Sequence, residues 1–112
     1  MIKIKWSIEE AVALFDLYKS YENYRDIPDS EIDELSRVLR HRAELLGLKI
    51  DEKYRNKTGL RMQLECIQFI VSDGTEGIKN VGQVFRDVFK LYEELPSIYS
   101  LILEDFNFKY KQ

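Results

Sequence analysis

The stretch SIEEAVALFDLYKS, residues 7–20, decides the fold class, because it carries both a helix start and a helical repeat. Ser7 followed three residues later by Glu10 is the pattern of a capping box. The apolar residues that follow recur at the spacing of one helix face: Ile8, Val12, Phe15 and Tyr18. We therefore predict a first helix from Ser7 to Ser20.

Two more helices follow along the chain. The loop YENYRDIPDS ends at Pro28, after which Asp29 or Ser30 is suited to cap a second helix, and Gly47 supplies a stop signal for it. After a connection of mixed character, Thr58 is suited to cap a third helix that runs through LRMQLECIQFIV.

The C-terminal half predicts two further helices. We expect Asn80 to cap the fourth and Pro96 to lie in the first turn of the fifth, which would bury Ile98, Leu101 and Ile102. Five helices joined by short connections, without an internal repeat or a linker, predict an all-α, compact five-helix domain covering residues 1–112. Helices two and three would form its helix-turn-helix-like core.

The two ends of the chain show a different pattern. MIKIKW (residues 1–6) and FNFKYK (residues 106–111) both alternate apolar and polar residues, which is typical of half-buried strands. We expect the termini either to pair as a short β-ribbon or to lie as irregular ends with a few docked aromatic side chains. Such a ribbon would either pack on the helices or pair with the same ribbon of a second copy across the axis of a homodimer.

Composition excludes several classes of site. The single cysteine, Cys66, cannot form an internal disulfide, and the single histidine, His41, cannot build a zinc site with it alone. We expect Cys66 to be a packing residue. No metal or cofactor motif occurs, no signal peptide is recognisable, and no apolar run is long enough to cross a membrane, so a cytoplasmic location is expected.

Charge is unevenly distributed along the chain. The formal net charge is -3, yet residues 37–61 contain eight Lys or Arg against three acids, a local excess of +5. The rest of the chain carries nine bases and seventeen acids. An anionic partner responds to such a local potential rather than to the total charge.

The basic segment suggests a DNA-binding edge. The helix-turn-helix-like core would place Arg61 and Gln63 where a recognition helix enters a groove, and Arg55 and Lys57 would contact phosphates. The alternative is that these cations pair with the many acids of the protein itself. The full set of candidate DNA-binding residues is Arg37, Arg40, Arg42, Arg55, Asn56, Lys57, Arg61 and Gln63.

Four segments together carry a resemblance to a known family. They are WSIEE (residues 6–10), IDELS (32–36), RNKTGLRMQL (55–64) and EGIKN (76–80). In this order they resemble the small helical module found ahead of HNH nuclease domains in restriction endonucleases. That module has roughly Trp-Thr-x-Glu-Glu, then Ile-x-x-Leu-Ser, then Arg-Asn-x-x-Gly-x-x-Met-x-Leu. The match spans nearly the whole chain.

The resemblance implies a DNA-associated role in restriction-modification or mobile-element defence. It makes Arg55, Asn56, Gly59, Met62 and Leu64 the family-pattern positions, with Met62 and Leu64 as packing residues and Arg55 as a phosphate or base contact. No His-Asn-His metal site follows, so nuclease activity does not carry over. The chain is then either the module excised from a longer enzyme or a free-standing relative.

Two other function classes remain open from the sequence. A protein-interaction module or small inhibitor could use the acidic surface against a nucleic-acid-binding partner, since five acids fall within residues 26–34. A third interpretation is an enzyme with an unrecognised carboxylate site. The leading hypothesis is a non-catalytic DNA-binding module whose basic edge runs from Arg37 to Arg61.

Overall fold

Five α-helices make up most of residues 4–79 and 81–111, which are the residues that this computed structural model describes. They are α1 (Ile8–Lys19), α2 (Asp29–Leu45), α3 (Lys57–Val71), α4 (Gln83–Glu94) and α5 (Pro96–Tyr110). A short 3-10 turn, Tyr24–Asp26, lies between α1 and α2. The described residues contain no β-strand. The prediction of a compact all-α fold with five helices is confirmed.

Helix α1 lies at the centre of the fold and packs against α3, α4 and α5. Six consecutive residues, 10–15, are buried, so this helix is enclosed on all sides rather than along one stripe. Ala11 and Ala13, both fully buried, keep its surface narrow where the neighbouring helices approach. The predicted capping box is present: the Glu10 N–H donates to Ser7 Oγ, and the Ser7 N–H donates to Glu10 Oε1.

Two helix boundaries lie where individual residues of the sequence predicted them. Gly47 follows the end of α2 with a φ of +74°, and Pro96 is the first residue of α5. The start of α3 differs: Asn56, not Thr58, is its N-cap, and Asn56 Oδ1 accepts a hydrogen bond from the Gly59 N–H at 2.8 Å. The predicted cap Asn80 lies outside the described residues, and α4 begins at Gln83.

Helix α5 turns to the core a face that only partly matches the prediction: Ile102 packs against the core, whereas Ile98 and Leu101 do not. Ile98 and Leu101 are 46% and 64% exposed, while Tyr99 is buried. The Tyr99 ring lies against Phe15 of α1 and Tyr92 of α4, with centroids 5.9 Å and 5.1 Å away. Aromatic packing against α1 therefore sets the rotation of α5, which the apolar residues of the helix alone did not reveal.

The predicted C-terminal strand is wrong, because residues 106–110 belong to α5. A strand would place Phe106, Phe108 and Tyr110 on one face, whereas the helix keeps Phe106 and Tyr110 together and turns Phe108 away from them. Phe106 is buried with its ring centroid 5.2 Å from that of Tyr110, and Phe108 is 73% exposed. At the other end, residues 4–6 are irregular and residues 1–3 lie outside the described range. A homodimer through paired terminal strands is therefore not available to this fold.

Candidate nucleic-acid interface

Arg55, predicted as a phosphate or base contact, lies buried against α1. Its Nε donates a hydrogen bond to Glu10 Oε2 at 2.6 Å, and its Nη2 donates to Glu10 Oε1 at 3.1 Å. The same Nη2 donates to the backbone carbonyl of Lys5 at 3.1 Å. The side chains of Arg55 and Glu10 are only 7% and 2% exposed. A phosphate could reach this guanidinium only if the ion pair broke and Arg55 left the core.

Two aromatic rings enclose the Arg55 guanidinium. Its central carbon lies 4.4 Å from the ring centroid of Trp6 and 4.2 Å from that of Tyr54. We call Trp6, Glu10, Tyr54 and Arg55 the Arg55 cluster. The backbone of Arg55 has a φ of +48°, a left-handed conformation that is unfavourable for a residue with a Cβ. The ion pair and the ring contacts hold the backbone in that conformation.

The pKa of Glu10 reflects two opposing effects. Burial would raise the pKa of its carboxyl group, but the hydrogen bonds and charge of Arg55, together with the hydrogen bonds from Ser7, outweigh burial and leave the pKa below its usual value. Tyr54 Oη also donates to Glu10 Oε2 at 3.2 Å. Glu10 therefore stays ionised and keeps its cation at neutral pH.

Arg40, another predicted DNA contact, holds the connection 46–56 in place. Its Nη1 donates to the backbone carbonyls of Asp51 and Tyr54 at 3.1 Å and 2.6 Å. One turn earlier on α2, Ser36 Oγ donates to the carbonyl of Arg55 at 2.7 Å. These two side chains, four residues apart on one helix face, fix the carbonyls that a loop of this length would otherwise leave to water.

Asp29, at the start of α2, binds two of the predicted cations. Its Oδ1 lies 2.7 Å from Arg61 Nη2, and its Oδ2 lies 3.4 Å from Lys57 Nζ. Arg61 Nη2 also donates to the carbonyl of Ile27 at 2.8 Å. The hydrogen bond from Arg61, followed by the charge of Lys57, lowers the pKa of the Asp29 carboxyl. Arg61 and Lys57 thus tie α3 to the start of α2.

The remaining pairs change the charge balance of the basic segment. Arg37 Nη2 lies 2.5 Å from Glu34 Oε1, and Arg42 Nη2 lies 3.7 Å from Glu9 Oε2. With Glu10 and Asp29, four carboxylates from outside residues 37–61 are paired with cations inside it. Counting these four carboxylates with the segment lowers its excess of five positive charges to one. The predicted basic edge is therefore largely neutralised by the protein itself.

An open groove of about 470 Å³ lies beside the Arg55 cluster, between the chain before α1, the connection 46–56 and the first turns of α3. Its walls are largely apolar: Ile4, Trp6, Ile50 and Met62. Gln63, the last of the predicted DNA contacts, lines it with a half-buried side chain. Met62 is 51% exposed, so the expectation that it packs in the core is wrong, whereas Leu64 is fully buried as expected.

Three lysines stand around this groove: Lys5, Lys49 and Lys53. All three are exposed, and among the described residues none of them forms an ion pair with a carboxylate. The nearby acid, Asp51, accepts a hydrogen bond from the backbone N–H of Lys53 at 3.0 Å. Sequence reasoning did not single these lysines out, because only the fold brings residue 5 next to residues 49–53.

Residues from three of the four segments that carry the resemblance meet in this region, while Glu76 of the fourth lines a different cavity. Trp6, Glu10 and Arg55 form the Arg55 cluster, Ser36 binds the Arg55 carbonyl, and Asn56 caps α3. Gly59 sits where an added Cβ would lie 3.1 Å from the capping oxygen of Asn56. The spacing of these residues in the sequence is explained by their contacts with one another at the place where α1, α2 and α3 meet. The groove lies next to that place.

A second cavity, of about 510 Å³, is polar and lies at the 3-10 turn on another part of the surface. Tyr24 Oη donates to Glu65 Oε2 at 2.6 Å, and burial together with this carboxylate raises the pKa of Tyr24 to about 12. Three carboxylates, those of Glu22, Asp26 and Glu76, and one cation, Arg25, line the cavity. Its character is acidic, in contrast to the lysine-rimmed groove.

Comparison of the chain with models of protein families, with curated proteins and with solved structures gives no match. In the part of the chain that the structure describes, no three His, Cys, Asp or Glu side chains are grouped to hold a metal ion. No described helix has the length and apolar character needed to span a bilayer. Cys66 is buried, as predicted, and burial raises the pKa of its thiol.

Proposed function

We propose that this chain is a non-catalytic DNA-binding module, of the kind found ahead of HNH nuclease domains in restriction systems, and that DNA binds at the lysine-rimmed groove. The observation that carries the proposal is the set of unpaired lysines, Lys5, Lys49 and Lys53, around an open groove. Cations that are exposed and unpaired are the ones able to exchange their counterions for phosphates.

In this proposal α2 and α3 form the helix-turn-helix-like unit, but the residues that contact DNA differ from those predicted from the sequence. The helices and the connection 46–56 are held in place by Arg55, Arg40, Arg61 and Asn56. The first turns of α3 and the connection 46–56 would then face the DNA. Lys49 and Lys53 lie on that connection and line the groove, where they would bind phosphates of the DNA backbone.

The test is the salt dependence of binding to a short fluorescent duplex, measured by anisotropy. The variant Lys49→Ala/Lys53→Ala should weaken binding and reduce the slope of log affinity against log salt by about two, because each phosphate contact contributes about 0.9. The matched control is Arg86→Ala/Lys90→Ala, which removes the same charge from the exposed face of α4 and should leave the slope nearly unchanged. Equal loss in both variants would show that the groove is not the contact.

The acidic cavity favours a second candidate, a protein-interaction module or small inhibitor that acts on a nucleic-acid-binding partner. Glu22, Asp26 and Glu76 around one polar cavity offer carboxylates to a cationic side chain of such a partner. Wild-type protein that fails to bind duplex DNA even at low salt would contradict the first proposal. The second candidate would be supported if Glu22→Gln/Asp26→Asn lost binding to an identified partner protein while Lys49→Ala/Lys53→Ala bound that partner as the wild type does.

A further inference from the structure

The groove beside the Arg55 cluster combines an apolar interior with a cationic rim. Ile4, Ile50 and Met62 provide apolar surface, Trp6 adds an aromatic edge, and the lysines stand at the entrance. A duplex backbone offers phosphates to such a rim but nothing that enters the interior. A nucleotide lifted out of the helical stack offers both a flat, largely apolar base and an attached phosphate.

The size of the groove fits one nucleotide. Its volume of about 470 Å³ lies within the range of about 300–1,000 Å³ that is typical of sites for small ligands. The edge of the groove also carries a polar group, the amide of Gln63, which supplies both donors and an acceptor for the edge of a base. The carboxylate of Asp51 also lines the groove, where it faces three lysines. Apolar walls with a few polar groups are typical of a site that holds and orients a planar ligand.

The wall of the groove formed by Trp6 is held in place by packing. Trp6 is fixed by the Arg55 guanidinium and by the Phe85 ring, whose centroid lies 5.3 Å away. Arg55 lines the groove with a left-handed backbone, and unfavourable conformations of this kind are found at binding sites more often than elsewhere. Met62 exposes half of its side chain at the mouth of the groove, on a helix whose other large apolar residues nearby, Leu60 and Leu64, are fully buried.

We infer that the groove binds a single unstacked base, with its phosphate on the lysine rim, so that DNA carrying an unpaired or single-stranded nucleotide is the preferred ligand. The inference rests on the proposed function and names its substrate class. Ile50 and Met62 would contact the base, Gln63 would bind its polar edge, and Lys49 and Lys53 would bind the adjacent phosphates.

The experiment uses three DNAs of one sequence: a fully paired duplex, the same duplex with one unpaired thymine, and the single strand. Trp6 is the only tryptophan of the chain and lines the groove, so its fluorescence reports on occupancy directly. We expect the duplex with the unpaired thymine and the single strand to bind about tenfold more tightly than the paired duplex. We also expect both of them, and not the paired duplex, to change Trp6 emission in a saturable way.

A neutral variant isolates the apolar contact. Met62→Ala removes a wall of the groove without changing charge, and because Met62 is half exposed the fold should tolerate it. We expect Met62→Ala to lose at least about threefold of the preference for the unpaired base over the paired duplex. Leu101→Ala, at an apolar residue 64% exposed on α5, is the control and should keep the full preference.

The outcomes separate this inference from the proposed function. Equal affinity for all three DNAs, with unchanged Trp6 emission and a salt slope that still depends on Lys49 and Lys53, would overturn the base site and leave the DNA-binding module standing. An unpaired-base preference that survives in Met62→Ala would also overturn the base site. Absence of binding to every DNA at low salt would overturn both.

Discussion

Glu10 Oε2 lies 2.6 Å from Arg55 Nε, and this contact joins the first helix to a residue 45 positions later in the chain. The pair is bidentate, almost fully buried and enclosed by Trp6 and Tyr54. Removing one partner of such a pair leaves an uncompensated charge or a set of unmet hydrogen bonds in the core.

Arg55→Met is therefore expected to destabilise the fold by about 3–5 kcal/mol, measured by urea unfolding. The double variant Glu10→Gln/Arg55→Met should be more stable than the sum of the two single effects predicts, because it leaves no buried charge. Arg37→Ala is the control: it breaks the exposed pair with Glu34, which solvent screens, and should change the free energy of unfolding far less than Arg55→Met does. A small effect of Arg55→Met, equal to that of Arg37→Ala, would contradict the structural role given to Arg55.

Acid should weaken the fold through Glu10. Its folded-state pKa lies below the ordinary 4.5, so between these two values the unfolded chain binds more protons than the folded chain. The stability from this group is fully present above about pH 4.5 and is lost as the pH falls through the folded-state pKa. The free energy of unfolding of Glu10→Gln should show a flatter acid limb than the wild type. Parallel curves for the two proteins would contradict this prediction.

Loss of the α3 cap should affect stability rather than DNA affinity. Asn56→Ala removes the oxygen that accepts the Gly59 N–H, and we expect a cost of about 1 kcal/mol in the free energy of unfolding. Asn56→Asp keeps an accepting oxygen and should retain most of the stability. A fall in affinity for DNA with unchanged stability in Asn56→Ala would instead restore Asn56 as a direct contact.

Two glycines with positive φ should respond differently to substitution. Gly47, with a φ of +74°, has no atom within 4 Å of an added Cβ, so Gly47→Ala should cost only the backbone penalty of about 1–2 kcal/mol. At Gly77, with a φ of +88°, the Cβ would lie 2.2 Å from the Glu65 carbonyl oxygen and 2.8 Å from the Phe69 nitrogen. Gly77→Ala should therefore lower the melting temperature clearly more than Gly47→Ala. Equal shifts would show that the turn after α3 can move away.

The helix starts and stops could be predicted because each is set by residues close to it in the sequence. The Ser7–Glu10 capping box, the stop at Gly47 and the start at Pro96 each depend on groups within about one helical turn. The rotation of α5 was not predictable in the same way. Alternation of aromatic residues at 106–110 suits a strand, and only packing of Phe106 against the core selects the helix.

Two of the predicted DNA contacts remain accessible at the surface. Gln63 lines the groove, as a DNA contact would require, and Arg37 remains on the surface beside Glu34. Lys5, Lys49, Lys53 and Met62 were missed as a group, because nothing in a linear charge count places residue 5 beside residue 49. The sequence does not distinguish Met62 from Leu64, because both are apolar residues of one helix and only the fold exposes the first and buries the second.

The sequence by itself determined the helical class, most helix boundaries and the excess of cations in residues 37–61, since these depend on neighbouring residues and on composition. The tertiary structure alone decided what those cations do. Glu10 and Asp29 are distant from Arg55 and Arg61 in the chain, and ion pairs at such separations form only when packing brings the helices together. Folding thus places Arg55 in the core and leaves Lys5, Lys49 and Lys53 around the groove without an ion pair to any carboxylate of residues 4–79 and 81–111.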